Sequence, residues 1–461
     1  MESAINPSVT SKLAQFVVDL SLTDIPSTVR ESAKSLILDT LGCLRGGART
    51  PLARQINAVS KIFGGPRKAS VAGCHEPAGT AQALYVNARL SNLLDLDETF
   101  PIGTHFGIGA VCAAIVALEA RDKRGDRSDG EDLLVGVVAG YEIAARVATA
   151  IGPIIRVEDG QVKDYAQIWG VSAPVVIASC VAYAKVLGRD VVDSKRLEQA
   201  FGIAVSNIPI PIGNRWSDSV EIADCKYCDA GWCAVTGMHG VMSALEGLTG
   251  FANIFDGEVG LADACGAEMP RPESLTEQLG KLWYLSDITF KAWPTCRWIQ
   301  APQTALHILL QKHHPAIEDI EEVVVFTNPV ADGALFRNPA PSTFCGYSFS
   351  YPHAVAMMLL KVPPGAQWFN PEIAESATAL KLRRIVRIEK LEKAQTFPQH
   401  MVRNQIRTMP GAVTVKTVHG DLWTEETNYS EGDPWDSCTK YDSSKGRLAL
   451  GLHLGFTKGP H

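Results

Sequence analysis

Residues 108–120 read IGAVCAAIVALEA, and this stretch decides the fold class. Apart from Glu119, every residue in it is apolar or glycine. Such a run has no polar face to turn toward water. As a helix it belongs in the middle of a bundle, covered on all sides. Working outward, residues 78–94 form another helical run. Asp129 or Asp132 is placed to cap a helix over 133–151, and 171–187 reads as a helix stopped by Gly188. Upstream, Ile25-Pro26-Ser27 leads into an amphipathic helix over 29–41 that ends at Gly42. Downstream, 198–205 and 233–248 are helical, the second stopping at Gly250. Ala, Gly and Ser recur throughout, which allows close helix packing. No alternation of strands and helices is visible in this half.

The pattern changes near residue 284. Residues 286–288 and 290–293 read as extended, 301–313 as helix, and 322–327 (EVVVFT) as a β-branched strand. A helix over 350–360 follows, then strands at 385–388, 412–417 and 422–424, with His419-Gly420-Asp421 as the last turn. The expectation is a mainly α protein. It has a large all-helical domain over 1–283, with a C-terminal return at about 427–461, and a smaller α+β lid over 284–426.

A length of 461 residues also predicts two domains, because single cores rarely grow past about 300 residues. Lys and Arg number 43 against 50 Asp and Glu, a net charge of −7. With no basic block, nucleic acid is a poor partner. An anionic substrate must therefore meet positive charge placed locally. The eleven cysteines are spread along the chain, and Cys112 and Cys180 sit inside apolar runs. This reads as a reduced, intracellular, cytoplasmic protein and not as a disulfide framework. The N-terminus carries no signal or transit pattern, and no stretch reaches about 18 uninterrupted apolar residues. The nearest candidates, 108–118 and 171–184, read as buried helices.

Three clusters carry possible chemistry. The first runs Asp95, Asp97, Glu98, Thr99, Thr104, His105 between two apolar helices. It could join carboxylates to a histidine at a helix start, or the acids and Thr104 could be turn and capping residues. The second is DCKYCDAGWC at 224–233. Its cysteines lack the second pair of a zinc site and the strand context of a redox motif, so no metal is expected. Lys226, just before an apolar helix, could hold a carboxylate or move a proton, or could be solvated. The third is FKAWPTCRW at 290–298, with Lys291 and Arg297 among aromatics ahead of a helix. It suits an anion, or is an aromatic edge covered by cationic stems.

Taken together and in this order, the three clusters resemble the MmgE/PrpD family, which contains cis-aconitate decarboxylases and 2-methylcitrate dehydratases. The resemblance runs from IPSTVRESAKSLILDTLGCLRGG at 25–47 to DPW at 433–435. It implies a helical domain with an α+β lid, a homodimer, no cofactor and an active site between the domains. The decarboxylase pattern falls on Asp95, Thr99 and His105, the active-site lysine on Lys226 and the lid lysine on Lys291. Histidines of the decarboxylase pattern are replaced here by Trp169, Asp229 and Cys296. This implies a substrate with fewer charges or with an apolar arm. The implied function is a cofactor-independent lyase acting on an aconitate- or citrate-like polycarboxylate. Decarboxylation of a cis-aconitate-type acid leads; dehydration of a 2-alkylcitrate, and a repurposed or non-catalytic binding member, stand as alternatives. His105 or Lys226 would supply the proton, oriented by Asp95 and Thr99. Lys291, Trp169, Cys296 and Arg297 would contact the substrate.

Overall fold

The computed structural model describes residues 7–121, 129–165, 172–210, 219–256 and 261–435. The helical part contains α1 (Val9–Asp19), α2 (Ser27–Gly47), α3 (Ala53–Val59), α4 (Thr80–Ser91), α5 (Gly107–Ala120), α6 (Asp129–Ile151), α7 (Ser172–Leu187), α8 (Ser194–Ser206) and α9 (Ala230–Leu245). The apolar run that opened the reading is buried almost throughout in α5. Its neighbour α7 is the true centre, packed against α5, α6 and α9. Glycines make this closeness possible. A Cβ on Gly237 of α9 would lie 2.2 Å from the carbonyl oxygen of Val176 in α7. α6 is long and apolar enough to cross a membrane by composition, but nearly all of its most apolar window is buried inside the fold.

Several boundaries differ from the sequence expectation. α2 continues through Gly42 to Gly47. An interior glycine costs a helix roughly 1 kcal/mol, which tight packing against α4 offsets. Gly47 lies so close to α4 that an added Cβ would stand 2.1 Å from the Leu90 carbonyl oxygen. A hairpin, β1 (Ile155–Glu158) and β2 (Gln161–Tyr165), interrupts the helices. Asp159 and Gly160 form its two-residue turn with φ of 52° and 75°, the left-handed pair that a tight hairpin requires. The stretch expected to be extended at 286–288 is largely a short 3₁₀ turn, Tyr284–Asp287.

The smaller part is α+β. Its sheet has the order β4 (Val386–Lys390), β3 (Ile320–Thr327), β5 (Gly411–Thr417), β6 (Leu422–Thr427). β3 runs parallel to β4 and antiparallel to β5, with Val325 opposite both Ile388 and Val413. Helix α10 (Gln300–His313) packs on β5 and β6, and α11 (Tyr351–Leu359) packs on α12 (Ala377–Arg384). The protein is thus a large helical domain carrying a smaller α+β one.

A buried ion pair on α6 leads the chain from one part toward the other. Glu142 accepts from the backbone N–H of Tyr284 (2.8 Å) and Leu285 (3.3 Å). Arg146, bonded to Glu142 at 3.1 Å, donates to the carbonyls of Ser274, Glu277 and Leu282. These bonds satisfy backbone groups that would otherwise be buried unpaired. They fix the segment that delivers Lys291.

Candidate active site

The site is built on two residues in an unfavourable backbone conformation. Asp95, after the end of α4, has φ of 52°, and Lys226, before α9, has φ of 56°. Left-handed backbone is uncommon outside glycine and concentrates where function demands it. Here it brings the two side chains together. Lys226 Nζ donates to Asp95 Oδ1 at 2.8 Å, to the Asn92 carbonyl at 2.7 Å and to Asn92 Oδ1 at 3.3 Å. Both residues are buried.

Lys291 approaches from the other part of the chain. An isolated antiparallel bridge holds Thr99 to Thr289, with N–H···O bonds of 2.9 and 3.0 Å. Two residues on, the fully buried Lys291 donates to the Asp95 carbonyl, and its Nζ lies 3.7 Å from Asp95 Oδ1. One carboxylate thus meets two ammonium groups.

His105 completes the group. Its Nδ1 lies 2.9 Å from the Glu98 carbonyl oxygen and 3.4 Å from Asp97 Oδ2. A carbonyl can only accept, so the network assigns the Nδ1 proton to this bond and leaves Nε2 as the exchanging atom. Nε2 lies 3.7 Å from Asp95 Oδ1, too far for a hydrogen bond. The ring is nearly parallel to that of Tyr227, 6.3 Å away.

The charges divide sharply. Burial alone would raise Asp95, but Lys226, Lys291 and His105 hold it well below the usual carboxylate range. Burial would likewise raise Asp97, and His105 together with the lysines holds it down. Burial pulls Lys226 down, yet Asp95 and Asp97 keep it above its ordinary value. Glu98 goes the other way. Burial, then Asp97, pushes it up to about 8, although its Oε1 accepts from the N–H groups of Phe106 and Gly107 at the start of α5. At neutral pH the site therefore holds Asp95 and Asp97 ionised, Glu98 protonated and Lys226 cationic.

Asp95, His105, Lys226 and Lys291, singled out from the sequence, converge. The other expected residues that the structure describes sit around this group. Thr99 contributes its backbone to the bridge, while its Oγ1 is buried without a hydrogen-bond partner among the described residues. Arg297 pairs with Asp433 at 2.5 Å, tying the C-terminal return to the start of α10. Cys296 is buried, and its thiol is pushed up to about 12 by burial and then by Asp95, which puts it within electrostatic reach of the site. Asp229 caps α9, accepting from the N–H of Trp232 at 3.1 Å, and receives the Tyr85 hydroxyl at the same distance. Trp169 lies outside the described residues. Asn92 and Tyr227 were not singled out, and Glu98 was read only as one acid of the first cluster, with no role of its own. Asn92 and Tyr227 lie beside residues that were, but only the left-handed turns bring them in.

Asp95, Asp97 and His105 also place three ligand-type atoms within 4.8 Å of one another. Two ammonium groups share the same Asp95 carboxylate, so a dication here would face repulsion from both. The donor set fits acid–base work better than metal binding.

Comparison with known proteins gives a consistent picture. The MmgE/PrpD N-terminal domain matches residues 11–272 and the MmgE/PrpD C-terminal domain residues 293–442. The chain belongs to this family. It is 25% identical over 323 residues to a cis-aconitate decarboxylase of Aspergillus terreus, covering 68% of this chain and 63% of that protein. The cis-aconitate decarboxylase of Mus musculus is 24% identical over 390 residues, 81% of this chain and 75% of the relative. That of Homo sapiens is 24% identical over 325 residues, 69% and 64%. The match thus spans less than two thirds of the Aspergillus terreus and human relatives.

Proposed function

We propose that this member of the MmgE/PrpD family is a lyase that decarboxylates an aconitate-type polycarboxylate using its own side chains and no cofactor. The observation that carries the reading is the convergence of Lys226 and Lys291 on Asp95, opposite the exchanging Nε2 of His105. A polycarboxylate needs a cationic cradle, and loss of CO2 with a shift of the double bond needs a positioned acid. Lys291 has donor capacity beyond its bond to the Asp95 carbonyl. Lys226 can trade its longest bond, at 3.3 Å to Asn92 Oδ1, for a substrate carboxylate.

In the proposed step, the bond between a carboxylate carbon and its methylene breaks and CO2 leaves. The released electron pair forms the new alkene, and the old π pair takes a proton from Nε2 of His105. The Glu98 carbonyl holds the ring by Nδ1, and Asp95 and Asp97 balance the cation. Burial keeps water out and strengthens each of these interactions. Thr99 acts by holding the loop to Thr289.

With Glu98 protonated, the two carboxylates of Asp95 and Asp97 face three cations, Lys226, Lys291 and the His105 imidazolium, so only about one positive charge is left over. This supports an acid with fewer charges, or with an alkyl arm, over a full tricarboxylate. The same proposal includes a cytoplasmic homodimer, testable by light scattering and by localisation of a tagged protein.

The test is to incubate purified protein with cis-aconitate, alkylaconitates and 2-alkylcitrates while following CO2 and alkene absorbance. CO2 from an aconitate-type acid is expected. Loss of water from a 2-alkylcitrate without CO2 would move the assignment to a hydro-lyase. No change with any acid would refute the reading and favour a non-catalytic binding role.

A further inference from the structure

The converging cluster is buried, so a substrate needs a way in. A cleft of about 340 Å³ opens beside it, between the C-terminal end of α2 and the segment at 363–371 of the smaller domain. This volume lies in the range of small-molecule sites. Its floor includes Leu94 and Leu96, the two chain neighbours of Asp95, together with Cys43. Cys43 is 1% exposed, and its thiol is raised by burial first and then by Asp97, with Lys291 and Lys226 opposing. Cys43 therefore lines the cleft and also feels the charges of Asp97, Lys291 and Lys226.

The cleft has one sign of charge. Among the described residues its only ionised lining side chains are Arg45, in the last turn of α2, and Arg49, in the turn just beyond the end of that helix. Both are exposed, and among the described residues neither makes an ion pair or a side-chain hydrogen bond. On a chain of net charge −7, two uncommitted guanidinium groups at the mouth of a cleft make a local funnel for anions. Guanidinium forks also match carboxylate geometry.

We propose that this cleft is the entrance to the buried site and that Arg45 and Arg49 capture the carboxylates of the incoming substrate. The proposal rests on the polycarboxylate reading above. It adds a route and two residues that act on capture and not on the chemical step. Leu94 and Leu96 are the side chains that must move aside for passage.

Two independent perturbations test it. Arg45→Ala/Arg49→Ala removes the charge. Gly42→Trp fills the space, since a Cβ at Gly42 meets nothing within 4 Å and the helix tolerates a larger residue there. For the double variant, kcat/KM on the accepted acid should fall about tenfold at low salt with kcat nearly unchanged. The wild-type decline of kcat/KM with ionic strength should flatten. Gly42→Trp should lower kcat/KM at all salt concentrations. Lys34→Ala, which removes a charge from α2 outside the cleft, should change neither. Stopped-flow binding of tricarballylate, read by tryptophan fluorescence, supplies a measure that needs no turnover. Binding whose on-rate depends on the arginines, in a protein that turns over no acid, would uphold the entrance and sink the lyase reading. Turnover with wild-type kcat/KM and salt dependence in both variants would overturn the entrance alone. Neither binding nor turnover of any acid would overturn both.

Discussion

Replacing Glu98 by Gln tests the electrostatics of the site without touching its proposed acid or cradle. The Glu98 carboxyl is fully buried, accepts two backbone N–H groups through Oε1, and among the described residues has no hydrogen-bond partner at Oε2. Its pKa is raised from 4.5 to about 8, by burial first and then by Asp97. A carboxyl raised in the folded state favours folding while protonated. Below pH 4.5 it is neutral in both states and contributes nothing to pH dependence. Between 4.5 and 8 the unfolded chain releases its proton while the folded protein keeps it, so stability falls as pH rises. Above 8 both are ionised and the loss is complete. At 1.36 kcal/mol per unit, the loss amounts to about 3 kcal/mol by pH 7 and about 5 kcal/mol above pH 8. Gln cannot ionise, can still accept the two N–H groups, and places a donor where the protonated acid already has one. Glu98→Gln should therefore match wild type near pH 5 and be increasingly more stable toward pH 9. Urea unfolding of both proteins at pH 5.5, 7 and 9 reads the difference, in which all other titrations cancel. A difference independent of pH, or one favouring wild type at pH 9, would refute the reasoning. Turnover should survive, because it is the backbone carbonyl of residue 98 that holds His105.

Further outcomes follow from the same geometry. Lys226→Met leaves a buried Asp95 with one ammonium fewer and should cost about 3–5 kcal/mol of stability, while adding Asp95→Asn should cost less than the sum of the two single changes. A double-mutant cycle by chemical denaturation measures that coupling. Gly47→Ala should lose about 1–3 kcal/mol, because its Cβ would overlap the Leu90 carbonyl; a thermal melt checks it. Asp229→Ala should lose about 1 kcal/mol through the α9 cap and retain turnover, separating this residue from the site.

Much of this was legible in the sequence, and the failures have physical causes. α5 and α7 were readable because apolar residues on every face leave a helix only one place to go. The end of α2 was misread at Gly42 because the gain from packing Gly47 against α4 is a tertiary effect. The Asp159-Gly160 turn was a strong local signal that the helical context obscured. The turn at Tyr284–Asp287 depends on Glu142, far away in the chain. At the site, Asp95, His105, Lys226 and Lys291 were found by residue type and order. Asn92 and Tyr227 were not, because two left-handed residues bring them into place. Arg297, read from the sequence as an anion contact, has Asp433 as its ion-pair partner, and Asp229, which stands where the family pattern has a histidine, caps α9.

The central claim is that His105 delivers a proton to an alkene carbon as CO2 departs, with Lys226 holding the acid. It is tested most directly by proton NMR of the product formed from the accepted aconitate-type acid in D2O, with CO2 measured in parallel. The account predicts one CO2 per molecule of acid consumed and one solvent deuteron on the former alkene carbon, with both signals lost in His105→Ala and in Lys226→Ala proteins that remain folded. Turnover by either variant at the wild-type rate, or acid consumed without release of CO2, would contradict it.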